Sequence, residues 1–329
     1  MGRPTLSLVI PVFNEEAVLP MLHERVQSFL ASLGLPAEVV FVNDGSKDRT
    51  FEMLQELAKS DRRYKVVSFA RNFGHQVAIT AGLDYARGEA VVVMDADLQD
   101  PPEVVLQMVE KWREGFDVVY GRRHHRESET WFKLVTAKIF YRCFAAMVPI
   151  EVPLDTGDFR LMSRRVVVAL RALKETHRFV RGMVAWIGFK QTAVLYDRAG
   201  RAAGETKYPL KKMLKFAADG ITSFSILPLR ASSYLGLFIS FVSVVMAIWA
   251  MVAHFVYHAT VPGWTASIVT TSLLAAVQLV MIGILGEYVG RIYEQVKGRP
   301  LYLVGDVLNM PRQPDNDDLD DDGDAPAAP

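Results

Sequence analysis

Cysteine is almost absent from this chain: Cys143 is the only one among 329 residues. One cysteine can form neither an internal disulfide nor a cysteine cluster for zinc, which excludes disulfide-rich and zinc-ribbon folds. Histidines at metal-ligand spacing are also missing. Four histidines are scattered or adjacent along the chain, which favours surface or packing roles over zinc binding: His75, His124, His125 and His177.

Glycine-rich phosphate-binding loops are missing as well. No Gly-x-Gly-x-x-Gly follows the first predicted strand and no Gly-Lys-Ser/Thr loop occurs, so the sequence supports neither a dinucleotide-binding fold nor a P-loop. No Ser-His-Asp or Cys-His arrangement is apparent, so the sequence does not indicate an enzyme that works through a covalent intermediate. The formal net charge is zero, from 37 basic and 37 acidic residues, and no nucleic-acid partner is expected.

Long hydrophobic runs are present, and both lie near the C-terminus. Residues 232–257 and 266–290 each exceed the roughly 20 residues that a helix needs to cross a bilayer. Neither run carries Lys, Arg or Asp within its body. We therefore expect two transmembrane helices, with two buried helices of a soluble core as the alternative.

Basic residues flank the two runs and predict their orientation. They precede the first run and follow the second: Lys207, Lys211, Lys212, Lys215, Arg230, Arg291, Lys297 and Arg299. By the positive-inside rule both ends lie in the cytoplasm and the loop 258–265 lies on the far side. The first 16 residues lack an apolar signal core, so residues 1–230 are expected to fold in the cytoplasm. Residues 315–329 are acidic, and disorder is predicted for them.

Apolar segments alternate with helical patterns before residue 100. Strands are predicted at 5–13, 37–44, 64–70 and 89–97, and helices at 15–33, 47–61 and 74–88, with Ser46 or Asp48 as the N-cap of the second helix. This alternation predicts an α/β fold with a parallel sheet, which binds ligands at the carboxyl ends of its strands.

Polar clusters follow three of these strands. They comprise Pro11, Phe13, Asn14 and Glu15 after the first, Asn43, Asp44, Gly45 and Ser46 after the second, and Asp95, Asp97, Gln99 and Asp100 after the fourth. Such residues are also ordinary turn and N-cap residues, and that alternative stays open for each cluster alone. Their coincidence at one edge of one sheet favours a binding site.

Two carboxylates of the third cluster, Asp95 and Asp97, lie one residue apart at a strand exit. Such a pair can bind Mg²⁺ or Mn²⁺ and leave positions open for substrate phosphates. A metal held there would neutralise the charge of a leaving diphosphate. Asp44 at the neighbouring strand end could accept hydrogen bonds from a base or ribose. Asp100, before two prolines, is predicted as the turn or N-cap residue of the next helix.

Four motifs together resemble those of a known enzyme family. "PVFNEE", "VNDGSKDRT", "ARNFGHQVAITAGLDYARGEAVVVMDADLQDPPE" and "DTGDFRLMSR" are similar to those of family-2 nucleotide-sugar glycosyltransferases with the GT-A fold. The polyprenyl-phosphate branch, which includes dolichol-phosphate mannose synthase and the bactoprenol glucosyltransferases, is the more similar one. The resemblance extends over nearly the whole chain, including the two C-terminal hydrophobic runs.

The resemblance implies roles for individual residues. Pro11, Phe13, Asn14, Glu15 and Asp44 would bind the nucleoside, Asp95 and Asp97 the metal and the donor diphosphate, and Gln99 would lie beside the sugar. Arg122, Arg123, Arg160 and Lys207 are candidates for the acceptor phosphate, although the loop that contains Arg122 and Arg123 could also be a solvated basic loop. Asp155 or Asp158 would be the candidate base, with Asp158 favoured; helix capping by Asp158 or Ser163 is the alternative.

The expected reaction is an inverting transfer of a hexose, with glucose as the expected sugar, from a UDP-sugar to undecaprenyl phosphate. The expected setting is the cytoplasmic face of a bacterial inner membrane, with a flippase and a downstream glycosyltransferase as partners and a tetramer as the expected homo-oligomer. A polysaccharide-extending transferase is one alternative, although no Gln-x-x-Arg-Trp motif is found. A catalytically inactive assembly protein of the same fold is the other.

The predicted domain organisation has four parts. Residues 1–205 form the GT-A catalytic domain, 206–230 the juxtamembrane amphipathic helices, 231–293 the two transmembrane helices and 294–329 a cytoplasmic tail. Between residues 209 and 225, lysines alternate with apolar residues, which is typical of a helix on an anionic bilayer surface. A helix packed on the core is the alternative.

Overall fold

The computed structural model describes residues 4–123, 156–197, 225–256 and 263–310. Asp155, Lys207, most of the juxtamembrane segment and the acidic end of the tail lie outside these residues, and so does the side chain of Arg123. The chain divides into two compact units. The first contains a β-sheet with its helices, and the second contains two long helices.

The sheet of the first unit has eight strands. They are β1 (Leu6–Val12), β2 (Ala37–Asn43), β3 (Tyr64–Phe69), β4 (Ala90–Val93), β5 (Val118–Arg123), β6 (Thr156–Ser163), β7 (Gln191–Tyr196) and β8 (Val304–Leu308). Their order across the sheet is β7-β5-β6-β4-β1-β2-β3-β8.

Most of the strand pairs are parallel. β1 pairs in parallel with β2 and β4, β2 with β3, and β5 with β7, whereas β6 is antiparallel to β4 and β5 and β8 is antiparallel to β3. This confirms the predicted α/β fold with a mostly parallel sheet, and it adds two antiparallel strands that the sequence did not predict.

Within the described residues, six helices of the first unit connect the strands. They are α1 (Leu19–Leu33), α2 (Thr50–Ser60), α3 (His75–Tyr85), α4 (Val104–Arg113), α5 (Arg164–Ala172) and α6 (Val180–Ile187). Helix α1 begins at Leu19 instead of the predicted Glu15 and ends where Gly34 adopts a left-handed conformation (φ 63°), which glycine accommodates at a helix C-terminus.

The mostly apolar composition of the central strands β1 and β4 agrees with their complete burial. All seven residues of β1 and all four of β4 are buried, as expected for strands that are covered by helices on both faces. Helix α3 lies close to this layer, because a Cβ atom at Gly82 would lie 2.1 Å from Cγ1 of Val9. Glycine therefore permits the close approach that holds α3 against β1.

Two predicted helix caps are wrong. The N-cap of α2 is Arg49, not Ser46 or Asp48, although Asp48 Oδ1 accepts a 3.1 Å hydrogen bond from the Thr50 N–H in the first turn. The N-cap of α4 is Glu103, so the N-cap alternative for Asp100 is wrong, whereas its turn alternative fits the bend that the chain makes at Asp100 before the helix. The Asp100 side chain is 2% exposed and accepts a hydrogen bond from the Tyr196 hydroxyl of β7.

The second unit contains α7 (Leu227–Phe255) and α8 (Trp264–Val296). Both are long and apolar enough to cross a membrane, and among the described side chains the most apolar stretch of each has none buried. Large side chains such as Phe238 and Phe241 are mostly exposed, which does not fit the alternative of core helices. Near the end of α8, Arg291 Nε donates to Glu287 Oε1 at 2.9 Å, an i,i+4 pair on one face of the helix.

Candidate active site

The loops that follow β1 and β2 are joined by hydrogen bonds. The Asn14 N–H donates to Ser46 Oγ at 2.9 Å, and the Lys47 N–H donates to Asn14 Oδ1 at 2.8 Å. The Glu15 N–H donates to Thr50 Oγ1 at 2.8 Å. Asn14 itself has a φ of 54°, a left-handed conformation that asparagine tolerates better than most residues. The first two polar clusters therefore form one rigid surface at the carboxyl edge of the sheet.

Asp44 links this surface to the start of α3. It is 4% exposed, and its carboxylate accepts hydrogen bonds from the backbone N–H groups of Phe73 (2.6 Å) and Gly74 (3.0 Å). Burial raises the pKa of Asp44 above its usual value, and the two backbone hydrogen bonds oppose that rise. Gly45 is confined, because a Cβ atom there would lie 2.4 Å from the carbonyl carbon of Arg71.

The side chains near this surface differ in exposure. Phe13 is 42% exposed, so its ring is available to a ligand, whereas Pro11 is buried within β1. The Arg71 guanidinium lies 4.1 Å from the centre of the Phe73 ring. An exposed aromatic ring, amide groups and a buried carboxylate at one strand edge are suited to a base and its ribose.

The third cluster turns sharply after β4. Leu98 has a φ of 60° and is buried, and the Gln99 N–H donates to Asp97 Oδ1 at 3.2 Å. A buried leucine in this conformation is strained, and such strain concentrates at functional sites. The turn places Asp95, Asp97 and Gln99 together at the exit of the strand.

Two oxygens of this turn are suited to a cation. Asp95 Oδ1 and Gln99 Oε1 are buried and have no hydrogen-bond partner among the described residues. Buried acceptors without partners are costly, and a hard divalent cation would satisfy both. Burial, and then the neighbouring carboxylates, raise the pKa of Asp95 to about 6, against the opposing effect of His75. The residues therefore fit the Mg²⁺ or Mn²⁺ that the sequence predicted, although no cluster of three His, Cys, Asp or Glu ligands occurs among the described residues.

His75 lies between two site carboxylates. Its Nε2 atom is 3.5 Å from Asp95 Oδ1 and 3.4 Å from Asp158 Oδ2. Burial lowers the pKa of His75, but the hydrogen bond with Asp158 and the charge of Asp95 outweigh it and raise the pKa overall. The sequence predicted only a surface or packing role for this residue, so its place in the site is a correction.

Asp158 lies on β6, which runs antiparallel beside β4 and so brings the "DTGDFR" motif to the exit of β4. Gln76 Nε2 donates to Asp158 Oδ2 at 2.9 Å, and Asp158 Oδ1 lies 3.6 Å from Arg181 and 3.9 Å from Arg160. Burial opposes ionisation, yet His75 and the two arginines hold the pKa of Asp158 well below its usual range. Asp158 is therefore an anion at neutral pH and a weak proton acceptor.

The predicted phosphate-binding arginines have unlike surroundings. Arg160 is buried, donates to the Gly157 carbonyl at 2.9 Å, and has a pKa that burial lowers to about 10. Arg122 is exposed on β5. Arg181, at the start of α6, was missed by the sequence analysis, as was the role of Gln76. Gln76 lies in the first turn of α3 and Arg181 in the first turn of α6. No sequence motif indicates that these two turns lie close together in the fold.

Comparison with known protein families identifies one match. The profile described as glycosyl transferase family 2 matches residues 7–171. These residues include every described residue of the predicted site.

Several relatives are similar along most of their length. The uncharacterized glycosyltransferase YkcC of Bacillus subtilis is 51% identical over 91% of this chain and 92% of its own. The SfII prophage-derived bactoprenol glucosyl transferase of Shigella flexneri is 42% identical over 91% of this chain and 97% of its own. Among solved structures, the glucosyl-3-phosphoglycerate synthase of Mycobacterium tuberculosis with Mn²⁺ and UDP is 23% identical, with a TM-score of 0.44 over 67% of this chain and 78% of its own.

Proposed function

This chain belongs to glycosyl transferase family 2, and we propose that it transfers glucose from UDP-glucose to a polyprenyl phosphate, with undecaprenyl phosphate as the acceptor. The name of the Shigella relative supports both the sugar and the class of acceptor. The proposed products are polyprenyl-phosphate glucose and UDP. The enzyme is a glycosyltransferase of the GT-A type.

One observation carries the proposal. The His75 imidazole lies within 3.5 Å of both Asp95 and Asp158, so the exit of β4 and the "DTGDFR" strand share one site. Asp95 belongs to the donor diphosphate side and Asp158 to the acceptor side. A direct displacement needs the donor and the acceptor within one site, and the short distances around His75 support such an arrangement.

We assign the donor to the surface formed by the first two clusters. Phe13 and Asp44 bind the base and ribose, Asn14 and Glu15 hold the surrounding loops, and Pro11 lies buried in β1 before them. Asp95, Asp97 and Gln99 would hold an Mg²⁺ or Mn²⁺ ion, which when bound would neutralise charge on the leaving diphosphate. Gln99 also lies beside the sugar.

The acceptor phosphate is assigned to the arginines around Asp158. Arg160 and Arg181 supply positive charge in a largely buried setting, where a charge-assisted hydrogen bond to phosphate is strong. Arg122, Arg123 and Lys207 are further candidates for the headgroup, and Asp155 stays a candidate beside Asp158.

The acceptor oxygen attacks the sugar C1 as the bond between C1 and the diphosphate oxygen breaks, which inverts the configuration at C1. A phosphate monoester carries a second pKa near 6, so the attacking oxygen is already anionic at neutral pH. Asp158, whose pKa lies below its usual range, therefore orients the acceptor through its arginines and does not need to remove a proton.

The proposed setting is the bacterial inner membrane, with α7 and α8 as the spans and both termini in the cytoplasm. Two apolar helices that could cross a membrane support a lipid acceptor. A flippase and a downstream glycosyltransferase would use the product, and assembly as a tetramer is part of the proposal.

A panel of radiolabelled nucleotide sugars tests this function. Purified protein in detergent is incubated with each donor and with undecaprenyl phosphate, and the label that enters the lipid phase is measured. We expect the highest incorporation from UDP-glucose and none without the lipid phosphate. Equal transfer to a soluble acceptor without lipid phosphate would refute the proposal.

A further inference from the structure

Gln76 lies in the first turn of α3 and connects two parts of the site. Its Nε2 atom donates to Asp158 Oδ2 at 2.9 Å, and its Oε1 atom accepts the Val180 N–H at 3.1 Å. We propose that Gln76 is a positioning residue that fixes Asp158 and the N-terminus of α6 in one arrangement for acceptor binding. This inference rests on the proposed function, because that function places Asp158 on the acceptor side.

The hydrogen bonds to Val180 and Asp158 together fix the orientation of the Gln76 amide group. A backbone N–H can only donate, so the atom of Gln76 that faces Val180 is its carbonyl oxygen. The amide nitrogen is then turned toward Asp158, to which it can only donate. A rotated amide would lose both bonds at once, and the backbone donor of Val180 therefore selects the orientation that holds the carboxylate.

The bond from Gln76 is the shortest of the contacts that Asp158 makes in the described residues. Its arginine contacts, at 3.6 and 3.9 Å, and its histidine contact, at 3.4 Å, are longer. Charge attraction varies slowly with distance and angle, whereas a hydrogen bond is directional. The arginines therefore keep Asp158 ionised, and Gln76 sets the direction in which its carboxylate points.

The same amide also holds the helix that carries Arg181. Val180 is the first residue of α6, and Arg181 follows it directly. The first N–H groups of a helix have no partner within the helix, and Gln76 satisfies one of them. Gly82 lets α3 pack closely against β1, and this packing holds the helix that carries Gln76 in place. One side chain thus sets the separation between Asp158 and the Arg181 guanidinium.

Two substitutions at this position test the proposal. Gln76→Glu keeps an oxygen for the Val180 N–H and removes the donor to Asp158. Gln76→Met removes both bonds without adding charge, so an effect common to both cannot arise from the new carboxylate. For each we expect kcat for transfer to undecaprenyl phosphate to fall about 10-fold to 100-fold, as small misplacements in active sites do. The KM for UDP-glucose should stay within about twofold, since the donor surface is formed by other elements.

A matched control is Gln191→Glu. Gln191 also binds a backbone group of α6, donating to the Val184 carbonyl at 3.3 Å, but it lies at the start of β7, beside Val118 of β5. The kcat of Gln191→Glu should match that of the unmodified protein. Comparing the Tm values of the variants then shows whether a lower kcat comes from loss of folded protein or from misplacement of Asp158.

Each outcome decides the proposal. The proposal is supported if both Gln76 variants have a lower kcat and an unchanged KM for UDP-glucose, and if their Tm is no lower than that of Gln191→Glu. A kcat within about twofold of the unmodified protein in both Gln76 variants overturns it, and so does a loss of kcat that only follows a loss of folded protein. If the unmodified protein itself transfers no sugar to undecaprenyl phosphate, the proposed function fails, and this assignment fails with it.

Discussion

At the scale of single residues, the protein contains buried groups that oppose folding and buried groups that favour it. Asp95 belongs to the first kind, because its buried carboxylate is held with a pKa of about 6. Raising a carboxyl pKa above its unfolded value costs stability at pH values where the group is ionised. This unfavourable arrangement persists because, in our proposal, the carboxylate binds metal.

Asp95→Asn should therefore separate stability from activity. The neutral amide removes the buried charge, so without divalent cation the variant should unfold at the same Tm as the unmodified protein or above it. Transfer should fall at least about 100-fold, the usual scale for losing a charge-stabilising group. Scanning calorimetry in EDTA and a lipid-transfer assay measure the two effects. Full transfer activity would show that Asp95 holds no metal.

Asp117 is a residue of the second kind. Its carboxylate binds the side chains of Arg165 and Ser163, and the hydrogen bond with Arg165 is the main cause of its lowered pKa. A carboxyl with a lowered folded-state pKa contributes stability above its unfolded pKa of about 3.9, and that contribution is lost as the pH falls through the folded value.

Asp117→Asn should consequently destabilise the protein by about 2 kcal/mol at pH 7, the usual scale for hydrogen bonds to a charged group. The difference from the unmodified protein should shrink as the pH is lowered from 4 toward 3. Urea unfolding at several pH values measures it. A difference that is constant over this range would mean that the charge of Asp117 contributes nothing.

At the scale of secondary-structure elements, the sequence predicted the strands that are buried on both faces. β4 is apolar throughout, and β1 and β2 are mostly apolar after Ser7 and Glu38 near their starts, so the strand exits and the polar clusters there could be located. β6 could not be predicted as a strand, because it contains Asp158 and Arg160. Its identity as a strand depends on pairing with β4 and β5, which are distant in sequence.

The site residues that the sequence analysis missed are also brought together by tertiary packing. His75, Gln76 and Arg181 lie in the first turns of α3 and α6, and tertiary packing brings these turns to Asp158. A motif search finds residues at strand exits because parallel strands share an edge. It has no equivalent rule for two helix N-termini that are about 100 residues apart in the chain.

β8 is an edge strand that follows the second long helix, in a segment predicted only as a tail. Tyr302 precedes it, stacks on Phe69 with ring centres 5.0 Å apart, and donates to Asp84 at 2.9 Å. Asn309 follows it and donates to the carbonyls of Ala58 (2.6 Å) and Tyr64 (2.8 Å). These contacts fix both ends of the strand against β3 and cover that edge of the sheet.

Asn309→Asp should loosen β8. The substitution keeps the size of the side chain and its tolerance for a φ of 61°, but it presents a carboxylate to two carbonyl oxygens. We expect a loss of about 2 kcal/mol, with faster hydrogen exchange confined to β3 and β8. Asn72→Asp, at an exposed position, is the control. Equal exchange in the two variants would mean that Asn309 does not anchor the strand.

At the scale of the whole molecule, the chain combines a sheet-containing unit with a pair of long apolar helices. Water-soluble proteins rarely expose as much contiguous apolar surface as these helices carry. The basic residues that flank them predict that both helix ends joined to the sheet-containing unit face the cytoplasm.

Cysteine labelling tests this orientation. Residue 260 lies in the loop predicted on the far side, outside the described residues, and Cys143 is the only native cysteine. In intact spheroplasts a membrane-impermeant maleimide should label Thr260→Cys and should not label the unmodified protein. Labelling of Cys143, which lies between β5 and β6 in the chain, without permeabilisation would contradict the predicted orientation.

The most direct test of the whole account is the structure of the product. Purified protein is incubated with UDP-glucose, undecaprenyl phosphate and Mn²⁺, and the lipid product is analysed by NMR. Direct displacement at C1 of the α-linked donor predicts a β-linked glucosyl phosphate lipid, formed only with divalent cation present. An α-linked product, or none, would contradict the proposed reaction.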